Sequence, residues 1–153
     1  MNFLHVPTSG DVCVGIVFDV GSVQEGLGQR GMAHIVEHMA FKTASCLREN
    51  EFGLIASRHG ARFNAWTSFV NVGFYVECQA GDVEMFAQLL CNITFGARFK
   101  EEELFREMKT VFDECNRREN STQTLLWKLI RGLSGLCSVE HDPIGTMGDL
   151  VSM

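Results

Sequence analysis

Within the run GMAHIVEHMAF, the segment His34-Ile35-Val36-Glu37-His38 brings two imidazoles and a carboxylate together. An α-helix advances about 100° per residue, which sets His34 and His38 roughly 40° apart and Glu37 about 60° to the other side of His34. Two imidazoles one turn apart can reach a single zinc ion at about 2.0–2.1 Å. The carboxylate between them can hold a water beside that ion and act as its general base. The chemistry this implies is metal-assisted hydrolysis. Met32, Ile35, Val36 and Met39 are expected on the opposite side of the same helix, against a core. A helix whose polar face merely contains two histidines is the plain alternative, and a third ligand from elsewhere in the chain decides between them.

A strand is expected to precede this helix. VCVGIVFDV, residues 12–20, is β-branched and aromatic, with Val12, Val14, Ile16, Phe18 and Val20 on one face. The glycine-bearing loop GSVQEGLGQRG then delivers the chain into the histidine helix. Leu47 to His59 reads as a second helix closed by Gly60. Residues 61–78 are β-rich, and FVNVGFYVEC alternates, with Val70, Val72, Phe74, Val76 and Cys78 facing one way. From Asp82 to Ala97, the residues Val83, Phe86, Ala87, Leu90 and Ile93 follow helical spacing. Another helix runs from Glu101 to Arg118 with the stripe Leu104, Met108, Val111 and Cys115, its acidic first turn suiting the helix dipole. Asn120 with Gln123 resembles a capping pair for a last helix carrying Leu125, Leu126, Leu129, Ile130 and Leu133. Strands first and helices after predict an α+β fold, a sheet with helices packed on one face.

Composition narrows the class without naming it. At 153 residues the chain holds one domain with a real core. Its 46% apolar and 21% charged content is that of an ordinary globular protein. The net charge of −6 argues against nucleic acid and would suit a cationic peptide. No run approaches the roughly 20 apolar residues of a spanning helix, so no membrane partner is expected. MNFLHVPTSGDV lacks the features of a signal or transit peptide, which makes a cytoplasmic address the expectation, an organelle being compatible with it. Six scattered cysteines without a CxxC pair read as buried free thiols, and the sequons at Asn92 and Asn120 carry no meaning at such an address. His5, His59 and His141 have no partner at ligand spacing and read as ordinary.

GMAHIVEHMAF resembles the active-site helix of the pitrilysin family of inverted-motif zinc metallopeptidases, which includes insulin-degrading enzyme and the mitochondrial processing peptidase. The resemblance extends to VGIVFDVGSVQEGLGQRG before the helix, to FNAWTS, to REMKTVFDECNRREN and to HDPIG, in the family's order and over nearly the whole chain. It implies a third zinc ligand at Glu114, with Glu107 two turns earlier orienting a ligating histidine. It also places Asn64, Ala65 and Thr67 on an edge strand that pairs with extended substrate. A departure follows the helix, where AFKTAS holds Lys42, Thr43 and Ala44 in a turn that usually includes a glycine in the family.

The resemblance thus implies the first domain of a pitrilysin-family half, residues 1–153 being a single, incomplete peptidase domain. It implies one zinc ion per chain on His34, His38 and Glu114, with Glu37 as base. The expected activity is hydrolysis of peptide bonds in unfolded peptides or presequence-like segments. Expected partners are the peptide and a second peptidase half or further copies of the chain. Two alternatives stay open: a non-catalytic or partner-dependent subunit that binds peptide or assembles with a second half, and a zinc lyase acting on a small thioether.

Overall fold

The computed structural model describes residues 10–26, 28–42, 47, 50–134, 143–145, 148 and 150. Among them, three strands form one antiparallel sheet: β1 (Val12–Phe18), β2 (Arg62–Thr67) and β3 (Val72–Cys78), in the spatial order β1-β3-β2. Among the described residues the sheet is accompanied by α1 (Met32–Ala40), α2 (Glu51–Arg58), α3 (Val83–Phe95), α4 (Glu101–Glu119) and α5 (Thr122–Ser134). This is the expected α+β arrangement. None of the described helices is long and apolar enough to cross a membrane.

The period-2 pattern sets the register. Ile16 pairs with Phe74 and Val14 with Val76 on one side of β3, while Ala65 pairs with Phe74 and Phe63 with Val76 on the other. These rows turn one face of the sheet toward the helices, where Phe74 and Val76 meet Phe52 of α2 and Phe86, Leu90 and Ile93 of α3 in a buried cluster. A one-residue slip would turn that whole set outward, so burial fixes the pairing. On the opposite face Trp66 lies over Gly73, where a Cβ would fall 2.2 Å from the indole ring.

A second buried cluster holds α1 to α4. Ile35 and Met39 meet Val111, Cys115, Ile144 and Leu150, and Met39, Val111 and Cys115 have no exposed surface at all. Gly31, at the start of α1, and Gly145 cross at close range. A Cβ on Gly31 would lie 2.7 Å from the Ile144 carbonyl oxygen, and one on Gly145 would lie 2.7 Å from that of Arg30.

Several expectations need correction. Val20 and Val70 do not continue the inward stripes. β1 ends at Phe18 and Val70 sits in the turn between β2 and β3, so both side chains are exposed. Met32 and Val36 are likewise exposed, 42% and 41%, because α4 covers only the Ile35 and Met39 side of α1. The cap of α5 is Ser121, whose Oγ accepts the Thr124 amide at 3.2 Å, whereas Asn120 turns its side chain back to the Asn116 carbonyl at 2.8 Å. The apolar stripe of α5 is exposed, Leu133 at 80%. Cys78 and Cys115 are buried free thiols, but Cys13 and Cys91 are exposed. His59 is not isolated, since its Nδ1 lies 3.1 Å from Asp82 Oδ2. Only Glu51–Arg58 of the expected Leu47–His59 helix forms α2, and Gly60 follows it with a positive φ of 63°. His5, Cys46, Cys137 and His141 lie outside the described residues.

The glycine crossing yields a stability comparison. Gly60→Ala meets open space, so only left-handed strain acts, about 1–2 kcal/mol. Gly31→Ala adds a backbone collision to a φ of 90° and is expected to cost clearly more, upwards of about 2 kcal/mol. Urea denaturation of the two variants side by side measures the difference, and equal losses would show that the Gly31–Gly145 approach carries no weight.

Candidate metal centre

Packing of α1 on α4 aims the site. Val111 and Cys115 anchor α4 in the second cluster, and Glu107 and Glu114 lie on the flank of the same helical stripe. On α1, Ile35 and Met39 enter that cluster and their neighbours His34 and His38 emerge beside it. The result brings His34, His38 and Glu114 together, with one ligand atom from each lying within 4.8 Å of the others. Glu114 Oε2 stands 3.9 Å from His34 Nε2 and 3.6 Å from His38 Nε2. The two imidazole rings meet edge to face with centroids 4.6 Å apart.

This donor set fits zinc. Ligand atoms at about 2.0–2.1 Å in a tetrahedron are separated by about 3.3 Å, so the donors, which lie within 4.8 Å of one another, would draw closer together around an ion. Two neutral imidazoles and one carboxylate also leave a fourth position for water or substrate, as in open catalytic sites.

Around the three donors stands a second layer. Glu107 Oε2 lies 3.3 Å from His38 Nδ1. A carboxylate offers only acceptors, so Nδ1 must be the donor, which leaves the Nε2 lone pair on the side of Glu114. Lys42 Nζ lies 3.5 Å from the other oxygen of Glu107, so that carboxylate bridges a cation and an imidazole. Glu37 Oε2 accepts a hydrogen bond from Thr67 Oγ1 at 2.6 Å. Burial is the largest influence on the Glu37 carboxyl and raises its pKa above the ordinary glutamate value. The Thr67 hydrogen bond and the neighbouring His38 pull it down, and Glu114 pushes it up.

Strand β2 runs along the mouth of the site at one edge of the sheet. Ala65 and Thr67 share its helix-facing side with Phe63, while Asn64 lies on the opposite side, in register with Tyr75. The Ala65 amide donates to Asn64 Oδ1 at 2.9 Å. Between α1 and β2 opens a groove of about 370 Å³ with Phe41, Phe52 and Phe63 as its floor and Glu37, His38 and Glu107 on its wall. The three rings pack at centroid distances of 5.0–5.3 Å.

The structure thus gathers Glu37, His34, His38, Glu114, Glu107 and Thr67 in one place, with Ala65 and Asn64 along the adjoining edge. Three features escape the sequence reading: the bond of Thr67 to Glu37, the bridge from Lys42 to Glu107, and the aromatic floor. A signal for the last existed, since Phe63 falls two and four residues before Ala65 and Thr67 and must share their face of the strand. The other two join residues far apart in the chain and have no local signature.

Comparison with known proteins shows the family. The family model described as insulinase (peptidase family M16) matches residues 3–131. A zinc protease of Helicobacter pylori, PqqE, is 29% identical over 144 residues, which cover 93% of this chain and 32% of that protein. The mitochondrial core protein I of the ubiquinol-cytochrome-c reductase complex of Euglena gracilis is 37% identical over 108 residues, covering 69% of this chain and 22% of that protein. The human mitochondrial-processing peptidase subunit beta is 29% identical over 114 residues, 74% of this chain and 23% of that one. The crystal structure of a protease from Helicobacter pylori superposes with a TM-score of 0.85 at 27% identity, over 95% of this chain and 35% of that one. The chain therefore spans between 22% and 35% of the length of these proteins. Its matched residues, its fold and its gathered histidines and glutamates make it a member of the insulinase family, peptidase family M16.

Proposed function

We propose that this chain is the metal-bearing domain of a zinc endopeptidase that hydrolyses peptide bonds in unfolded peptides or presequence-like segments. The observation that carries the reading is the convergence of His34, His38 and Glu114 beside a hydrogen-bonded Glu37. In this reading His34, His38 and Glu114 hold the ion. When bound, zinc supplies Lewis acidity, polarising a carbonyl and making water nucleophilic near neutral pH. Thr67 holds Oε2 of Glu37, which leaves Oε1 to take the proton of the attacking water and pass it to the leaving amine. A carboxyl pKa raised by burial suits both halves of that transfer. Glu107 keeps His38 in the tautomer that presents Nε2.

The open edge of β2 gives extended substrate a strand to pair with, once Asn64 Oδ1 releases the Ala65 amide. The aromatic floor beside Glu37 accepts an apolar side chain next to the scissile bond. The names of the relatives support zinc proteolysis: one is a zinc protease and another a processing-peptidase subunit.

A second reading is a partner-dependent or non-catalytic subunit. The exposed leucines of α5 and the similarity to a respiratory-complex core protein favour it. In either case a second peptidase half or another copy of the chain is the expected partner.

Metal binding separates the roles. The wild-type chain is expected to take up about one equivalent of zinc, measured by elemental analysis after dialysis. Glu107→Gln is expected to weaken zinc by about 10–100-fold in competition with a chromophoric chelator, and Glu114→Gln by more. Equal affinity of wild type and Glu114→Gln would remove Glu114 from the ligand set.

Mass-spectrometric detection of fragments from unfolded basic peptides tests the chemistry. Glu37→Gln is expected to keep its zinc and to cut at least about 10²-fold more slowly than wild type. A zinc-loaded wild type that cuts nothing would favour the partner-dependent reading.

A further inference from the structure

Helix α1 begins without a capping side chain of its own. Its N-cap is Gly31, at φ 90° and hard against Ile144 and Gly145, a position with no room for the serine, threonine or aspartate that usually caps a helix. Amides at its start that have no intrahelical acceptor are met instead by a residue on the preceding loop. Glu25 Oε2 accepts the Gly31 N–H and Glu25 Oε1 accepts the Ala33 N–H, each at 2.7 Å. Both carboxylate oxygens thus hold one helix end, and the negative charge sits where the helix dipole favours it. Two bonds from one rigid group resist rotation of the helix end as well as its displacement.

Glu25 is itself tied to the active-site strand's hairpin. Its amide bonds the Ser22 carbonyl at 3.2 Å in a 3₁₀ turn, and the Ser22 and Val23 amides bond the Ser68 and Phe69 carbonyls at 3.2 and 2.9 Å. Ser68 follows Thr67, the partner of Glu37. A continuous path of hydrogen bonds therefore joins the start of the histidine helix to the strand that holds the proposed base. Ala33, one of the two amides gripped, immediately precedes His34.

We propose that Glu25 is a positioning residue for the metal centre: its carboxylate clamps the start of α1 and thereby sets where His34 and His38 stand against Glu114. The inference rests on the zinc reading given above. A rotation of the helix end by a few degrees would separate donor atoms that already need to close together around the ion, so loosening the clamp acts on metal affinity before it acts on the fold.

The test uses the full chain in four forms: wild type, Glu25→Ala, Glu25→Gln, and Gln24→Ala as a control. Gln24→Ala breaks a bond in the same loop, from the Gly21 amide to Gln24 Oε1 at 2.8 Å, without touching α1. Zinc affinity is read by chelator competition, coordination geometry by the visible spectrum of the cobalt-loaded protein, and folding by circular dichroism. Glu25→Ala is expected to bind zinc about tenfold or more weakly with altered cobalt bands. Glu25→Gln, which keeps one acceptor, should fall between, and Gln24→Ala should match wild type. Unchanged affinity and spectrum in Glu25→Ala overturn the positioning role alone. Failure of wild type to bind zinc overturns the metal reading and this inference with it. Loss of fold in both Glu25 variants also overturns the inference, because Glu25 would then support the domain as a whole.

Discussion

The contact between α1 and α4 is the constraint on which the site depends. Neither helix alone gathers the three donors: α1 offers two imidazoles and α4 one carboxylate, separated by about half of the chain. Ile35 and Met39 interleaved with Val111 and Cys115 bring them within reach. Because such interiors are close-packed, the distance between the helices is set by side-chain volume and cannot drift. The separation of about 4 Å between Glu114 and the imidazoles is thus a consequence of apolar packing directly beneath polar groups.

That arrangement explains the concentration of tight backbone features around α1. The Gly31–Gly145 crossing lets a turn from the far end of the described chain sit on the start of the helix, and Ile144 fills the cluster from there. The Cys115 thiol donates to the Gly145 carbonyl at 3.7 Å, so the same turn touches the residue after Glu114. On the other flank, Thr67 ties Glu37 to β2. The histidine helix is held by packing along its length, by a turn and a carboxylate at its start, and by an edge strand beside its polar face. Preorganisation of this kind keeps donors aimed at one point, which a site on a mobile loop cannot do.

Much of this was legible in the sequence, and the reasons are local. The His34–His38 pair announces itself because helical periodicity converts spacing into direction. β3 was readable from clean alternation of Val72, Phe74, Val76 and Cys78, and α4 from the stripe that includes Val111 and Cys115. Glu114 was another matter: nothing near it distinguishes it from Glu101, Glu102 or Glu103, and only family resemblance drew it out. Val20 and Val70 fall outside the strands whose phase they share, whereas Met32 and Val36 keep their helical phase on a face that α4 does not cover. An apolar residue in phase with a buried stripe is inward only if another element covers it there, and coverage is a tertiary property. The α5 leucines show the same limit, a well-formed apolar face that stays exposed.

Extended X-ray absorption at the zinc edge tests the account most directly. The zinc-loaded chain should show a first shell of nitrogen and oxygen only, at about 2.0–2.1 Å, with the multiple scattering of two imidazoles. His38→Ala should halve the imidazole signal. Sulfur scatterers at about 2.3 Å, or a first shell without imidazole, would contradict a centre built from His34, His38 and Glu114.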